Sequence, residues 1–150
     1  MNLNSVSQIL DFAIEKEDEA AQFYRDLAAK MGQQHVGEVF ESFAREELEH
    51  KAKLLAVRHG NMTLIDSQRV TDLKIGDHLV EIVLSPDLDY KQALIVAMKA
   101  EKAAFRLYQD LAASTDDANL KEMLLTLAKE EARHKLRFEI EYEENFLREN

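Results

Sequence analysis

The chain has 150 residues, 46% of them hydrophobic, with a formal net charge of −10, one proline, four glycines and no cysteine. That length supports one domain with a real core, spanning residues 1–150, rather than two domains of ordinary size. The acidic balance, with no basic patch to offset it, argues against nucleic acid and anionic membranes as partners, and the missing cysteines exclude disulfides, thiolate catalysis, iron–sulfur clusters and cysteine zinc sites.

Ala, Leu, Glu and Lys dominate, so local preference is helical nearly throughout. Four segments repeat apolar residues about every 3.6 positions. The first runs from about Ser5 to Met31, with Leu10, Ala13, Glu17, Ala20, Tyr24, Leu27 and Met31 on one stripe, and Gly32 stops it. The second, about Gln34 to His59, aligns Val36, Phe40, Phe43, Glu47, His50, Leu54 and Val57 and ends at Gly60. A longer connection follows, "NMTLIDSQRVTDLKIGDHLVEIVLSPDL", in which "LKIGDHLVEIVL" is weakly amphipathic and reads as a short helix. After Pro86 the third segment, about Asp89 to Ser114, aligns Leu94, Ala97, Glu101, Ala104, Tyr108 and Leu111. The fourth, about Asp116 to Leu147, aligns Leu120, Leu124, Leu127, Glu131, His134 and Phe138. His35, His59 and His78 read as surface or capping residues, and the runs "EKEDE" and "EIEYEEN" as solvated faces apart from Glu17. No run of about 18 apolar residues occurs and the amino terminus lacks a secretion signal, so a cytoplasmic protein is expected.

Short breaks within each pair and a long one between them predict an all-α fold: an antiparallel four-helix bundle with one long crossover between two helical hairpins. The hairpins are one unit used twice. An offset of 84 relates Glu17 to Glu101, Tyr24 to Tyr108, Glu47 to Glu131 and His50 to His134. An approximate twofold axis between the hairpins would bring those four carboxylates and two imidazoles to one place.

Each stripe is apolar above and below a carboxylate, which is the anomaly to explain. Positions three apart on a helix lie about 60° apart around the axis, so Glu47 with His50, and Glu131 with His134, present a carboxylate and an imidazole to one interior point. Glu17 and Glu101 add one carboxylate from each remaining helix, giving the ligand pattern of two-metal carboxylate bundles. Either "EELEH" or "EEARH" alone is more often a solvated helix face; six residues centred on apolar stripes and duplicated at one offset are not. Within each string the stripe selects the second acid, Glu47 or Glu131, while Glu46 and Glu130 turn outward. A carboxylate buried without compensation costs several kcal/mol, far above the roughly 0.2–0.5 kcal/mol of a helix-surface ion pair, and two divalent cations would neutralise four of them. Glu and His ligation suits iron or manganese and accepts zinc, and a site able to change valence points to dioxygen or peroxide. Tyr24 and Tyr108, two turns beyond Glu17 and Glu101, are the candidate catalytic residues, placed to donate hydrogen bonds to those ligands or to bound peroxide. Ile14, Val39 and Ile95 read as outer-face positions that could build a homodimer.

With its spaced "E…FY", "ExxH", "E…LY" and "ExxH", and with "LAKEEARHKLRFEIEY" near its end, the chain resembles the rubrerythrin-like branch of the ferritin-like superfamily over roughly residues 5–145. The resemblance implies two irons held by Glu17, Glu47, His50, Glu101, Glu131 and His134, with the Tyr24 and Tyr108 hydroxyls close by. It also implies an oxidoreductase that reduces hydrogen peroxide or dioxygen with electrons from a separate donor such as a rubredoxin. The four-cysteine rubredoxin iron site of rubrerythrins is absent, since the chain has no cysteine. Rubrerythrins proper also carry an extra glutamate one turn past the third-helix ligand, where this chain has Ala104. The alternative expectation is an iron-binding, ferroxidase-like protein that buffers iron without a dedicated substrate.

Overall fold

The computed structural model describes residues 2–3, 5–32, 34–59, 73–74 and 88–147. Among them are four long helices: α1 (Val6–Met31), α2 (Gln34–Arg58), α3 (Tyr90–Ser114) and α4 (Ala118–Tyr142). Two short strands, β1 (Asn2–Leu3) and β2 (Leu73–Lys74), pair antiparallel with Asn2 opposite Lys74. They tie the start of the chain to the connection between α2 and α3. The weakly amphipathic piece expected to be helical begins in this strand pair at Leu73 and Lys74; the rest of it lies outside the described residues, as does His78.

The helix ends follow from local chemistry. Ser5 accepts a hydrogen bond from the Gln8 amide (3.2 Å) and opens α1, which Gly32 closes at φ 66°, a left-handed conformation that glycine adopts without a Cβ clash. Asp89 opens α3 through a reciprocal box with Gln92, whose amide donates to the Asp89 carboxylate (2.8 Å) while its side chain accepts from the Asp89 amide (3.1 Å). The fourth helix starts two residues later than expected, because Asp117 is its cap and accepts from the Leu120 amide (2.9 Å). It also ends sooner: Glu143–Leu147 form a π-helical turn, where the Asn145 side chain donates to the Glu141 carbonyl (2.7 Å).

Hairpins form by α1 packing along α2 and α3 along α4. Their shared interior is layered. At one end an aliphatic cluster joins Ile9 and Leu10 of α1, Leu54 of α2, Leu111 of α3 and Leu124 and Leu127 of α4. At the other, a mostly aromatic cluster joins Tyr24, Phe40, Phe43 and Phe138 with Leu27 and Leu94. Burying each such side chain contributes about 1.5–3 kcal/mol, so the two clusters clamp whatever lies between them. Since α1 starts in the aliphatic layer where α2 ends, and α3 starts in the aromatic layer, α2 and α3 run parallel, which is the topology of a bundle with one long crossover.

Three expectations about surface positions change. Ile14 and Val39 are half-buried against the two clusters and Ile95 is half-buried as well, because the apolar stripe of a packed helix is wide enough to draw in its flanking residues. The large apolar side chains left most exposed among the described residues are instead Leu125, Leu136, Ile140, Phe146 and Leu147. Ala20 and Ala104, expected on the buried stripes, are only partly covered, and Ala21 is buried in place of Ala20. His35 and His59 are exposed, as expected. No helix among the described residues is long and apolar enough to cross a membrane.

Candidate metal centre

Between the aliphatic and aromatic layers lies a polar one. Glu17, Glu47, His50, Glu101, Glu131 and His134 are all buried there, none more than 3% exposed. All six residues singled out from the sequence therefore converge. Their donor atoms form two overlapping groups, Glu17 with Glu47, His50 and Glu131, and Glu101 with Glu47, Glu131 and His134, each within 4.8 Å across. Glu47 and Glu131 belong to both groups, and each group has its own histidine.

Both imidazoles turn Nδ1 inward. His50 Nδ1 lies 3.0 Å from Glu131 Oε1 and 3.5 Å from Glu17 Oε1; His134 Nδ1 lies 3.0 Å from Glu47 Oε1 and 3.4 Å from Glu101 Oε1. The rings are nearly parallel, 9° apart, at 5.8 Å. At least one acceptor from every member, including both Glu131 oxygens and both Nδ1 atoms, is buried without a hydrogen-bond donor. Buried polar atoms are almost always satisfied, so unpartnered oxygens and imidazole nitrogens converging on one point are a donor set that a cation completes. The residues present fit a metal on that ground.

Tyrosines finish the inner shell by crossing between hairpins. Tyr24 of α1 donates to Glu101 Oε1 of α3, and Tyr108 of α3 donates to Glu17 Oε1 of α1. Burial first, and then the carboxylate each one faces, Glu101 for Tyr24 and Glu17 for Tyr108, hold both phenols well above their ordinary range. They therefore stay protonated and act as donors.

Electrostatics show what the cluster costs without a cation. Burial, followed by the charges of Glu17 and Glu101, pushes the Glu47 carboxyl well above the usual carboxylate value; burial, then Glu101 and Glu47, does the same to Glu131. For His50, burial alone would favour the neutral ring, but the neighbouring Glu17 carboxylate and the charge of Glu130 outweigh it, and the net shift is upward.

Glu46 and Glu130 correct the sequence reading. Neither simply faces solvent: Glu130 makes a close contact with His50 Nε2, and Glu46 Oε2 lies 3.2 Å from His134 Nε2. Each reaches across from the opposite helix, which the expectation of an outward turn missed because the same-helix stripe says nothing about the neighbour. Lys53 Nζ lies 3.6 Å from Glu130, and Arg137 donates to Glu46 at 3.1 Å while its guanidinium sits 4.4 Å over the Phe43 ring. A carboxylate at Nε2 favours the tautomer with the proton there and leaves the Nδ1 lone pair free to ligate. The signal was present: the 84-residue offset also pairs Glu46 with Glu130 and Lys53 with Arg137. Glu46→Ala and Glu130→Ala are each expected to weaken metal binding about 10- to 100-fold with little change in helicity, measured by chelator competition and circular dichroism. Unchanged affinity in both would show that these contacts do not orient the histidines.

Among curated proteins none matches the chain. Two solved structures share its fold: a hypothetical protein from Pyrococcus furiosus (25% identity, TM-score 0.65, covering 91% of this chain and 87% of that one) and an uncharacterised conserved protein from Magnetospirillum magnetotacticum (23% identity, TM-score 0.74, covering 93% and 94%). The family model for rubrerythrin matches residues 8–142, a span that reaches into all four helices and takes in every member of the buried Glu and His cluster, and the chain belongs to the rubrerythrin family.

Proposed function

We propose that the chain is a diiron-carboxylate oxidoreductase that reduces hydrogen peroxide or dioxygen with electrons from a separate donor protein. The observation that carries this reading is the sharing of Glu47 and Glu131 between two four-residue ligand groups, each completed by its own histidine. Shared carboxylates suit two cations held side by side, and mixed carboxylate and imidazole ligation suits iron. In this reading Glu47 and Glu131 would be shared by the two ions, Glu17 and His50 would help to hold one of them, and Glu101 and His134 the other. Iron there would supply one-electron steps in both directions between its ferrous and ferric states.

The remaining work falls to the protein's own groups. Tyr24 and Tyr108 fix the orientation of Glu101 and Glu17 by donating to them, and their protons stay in place at neutral pH. The aliphatic and aromatic layers exclude water from both ends of the centre, which strengthens every charge interaction within it. Glu46 and Glu130 hold the imidazoles in the ligating tautomer from outside.

The deciding experiment supplies the iron-loaded protein with reduced rubredoxin and hydrogen peroxide and follows donor oxidation. Sustained turnover over many equivalents, with two irons per chain throughout, is expected. One burst of oxidation followed by silence, with ferric iron accumulating on the protein, would replace this reading with iron buffering.

A further inference from the structure

A cleft of about 140 Å³ opens between α1 and α3, where the two hairpins meet only sparsely, and reaches down to Glu47, Glu101 and Glu131 beside the Tyr24 hydroxyl. Its upper walls are Ala20, Phe23, Ala103, Ala104 and Leu107. Two of these pairs obey the 84-residue offset, Ala20 with Ala104 and Phe23 with Leu107, so the cleft straddles the axis relating the hairpins. Above that carboxylate floor, charged side chains line the cleft only at the rim on α1, where Lys16 is engaged by Glu19 at 3.1 Å. Ala20 and Ala104 stand half-exposed on the stripes where a larger side chain would fill this space.

These walls are more than dioxygen or hydrogen peroxide needs. An apolar cavity of about 150 Å³ accommodates a benzene-sized molecule, whereas water-sized ligands require a small fraction of that and gain nothing from alanine and leucine walls. A floor of carboxylates beside a tyrosine hydroxyl, under apolar walls, fits a molecule with an oxygen head and a compact uncharged body. We infer that this cleft is the substrate's way to the centre and that it takes a small alkyl hydroperoxide, with Ala20 and Ala104 setting the size of the alkyl group. The inference rests on the peroxide-reducing reading above and narrows its substrate. In the reaction the O–O bond breaks, two electrons arrive from the external donor protein and two protons from solvent, and the products are the alcohol and water.

The test separates the cleft from the activity. In the metal-loaded protein, titration with tert-butanol, the alcohol product of tert-butyl hydroperoxide, is followed through the methyl signals of Ala20, Ala103, Ala104 and Leu107. Saturable shifts are expected in the parent and none in Ala104→Leu or in Ala20→Leu. Two variants from opposite walls guard against one simply misfolding, and neither residue belongs to the buried Glu and His cluster. Alongside, kcat/KM for tert-butyl hydroperoxide should fall about tenfold in each variant while that for hydrogen peroxide stays within about threefold. Non-saturable shifts, shifts that persist in both variants, or an equal loss for both peroxides would overturn the cleft assignment. Binding lost in the variants, with neither peroxide consumed by the parent, would leave the cleft as a binding site but overturn both its hydroperoxide substrate and the peroxide-reducing reading.

Discussion

The double variant Glu47→Gln/Glu131→Gln is expected to purify without metal and to melt above the metal-free parent. Both halves of that result come from one fact: these two carboxylates are shared by both ligand groups, and burial and neighbouring charge push both of them away from ionising. Glutamine keeps the shape of the protonated acid but cannot bridge two cations, so elemental analysis should find metal at background level. In the metal-free fold the same change removes two buried acids that resist carrying charge. Replacing buried ionic groups with well-packed hydrophobic residues of similar volume is often neutral or stabilising by about 1–4 kcal/mol; glutamine, neutral but polar, should fall at the low end, and in a chain of this size each kcal/mol moves Tm by about 2–4 °C. Parental metal content in the variant would show that the ligands have been misassigned. A variant that melts below the metal-free parent would mean that Glu47 and Glu131 serve the apo fold as hydrogen-bond partners, against the donorless geometry around them.

Such a site is a place where the sequence departs from ordinary core chemistry, and that departure is what made it legible. Glu17, Glu47, Glu101 and Glu131 break stripes that are otherwise apolar, and a surface helix has no reason to place a carboxylate there. Repetition at 84 residues then supplied what one stripe cannot, the relation between hairpins. What stayed hidden was contact across helices. Helical periodicity reports which way a residue leaves its own helix, and from that alone Glu46 and Glu130 point away from the core. Only the packing of α2 beside α4 shows that "away" is toward the opposite histidine. Ala20 and Ala104 failed for a related reason: they lie on the inward stripe, but α1 and α3 stand apart at that level, so an inward position opens onto a cleft. At Asp116 and Asp117 either acid could cap a helix, and the hydrogen bond to Leu120 selects the second.

Removing the metal should cost the protein stability, and the cost should grow with pH. A cation present at a thousandfold over its Kd stabilises the native state by about 4 kcal/mol, or roughly 10 °C in Tm for a chain of this length. For the metal-free state the sign follows from three groups. Glu47 and Glu131 have folded values well above the ordinary 4.5, so between 4.5 and those raised values the native state keeps protons that the unfolded chain has released. His50, raised from 6.5, does the same over a higher window. Where the native state binds more protons than the unfolded one, stability falls as pH rises. The contribution of these groups is fully present below 4.5 for the carboxyls and below 6.5 for His50, and is lost as pH climbs through the raised values. Metal reverses the preference, because it binds the deprotonated ligands and displaces those protons. The gap between loaded and metal-free Tm should therefore widen steadily from about pH 5 to about pH 8, and adding metal to weakly buffered apo protein should release protons. Parallel melting curves across that range, or uptake without acidification, would mean that the six residues are not competing between protons and a cation, and the centre would have to be sought elsewhere in the fold.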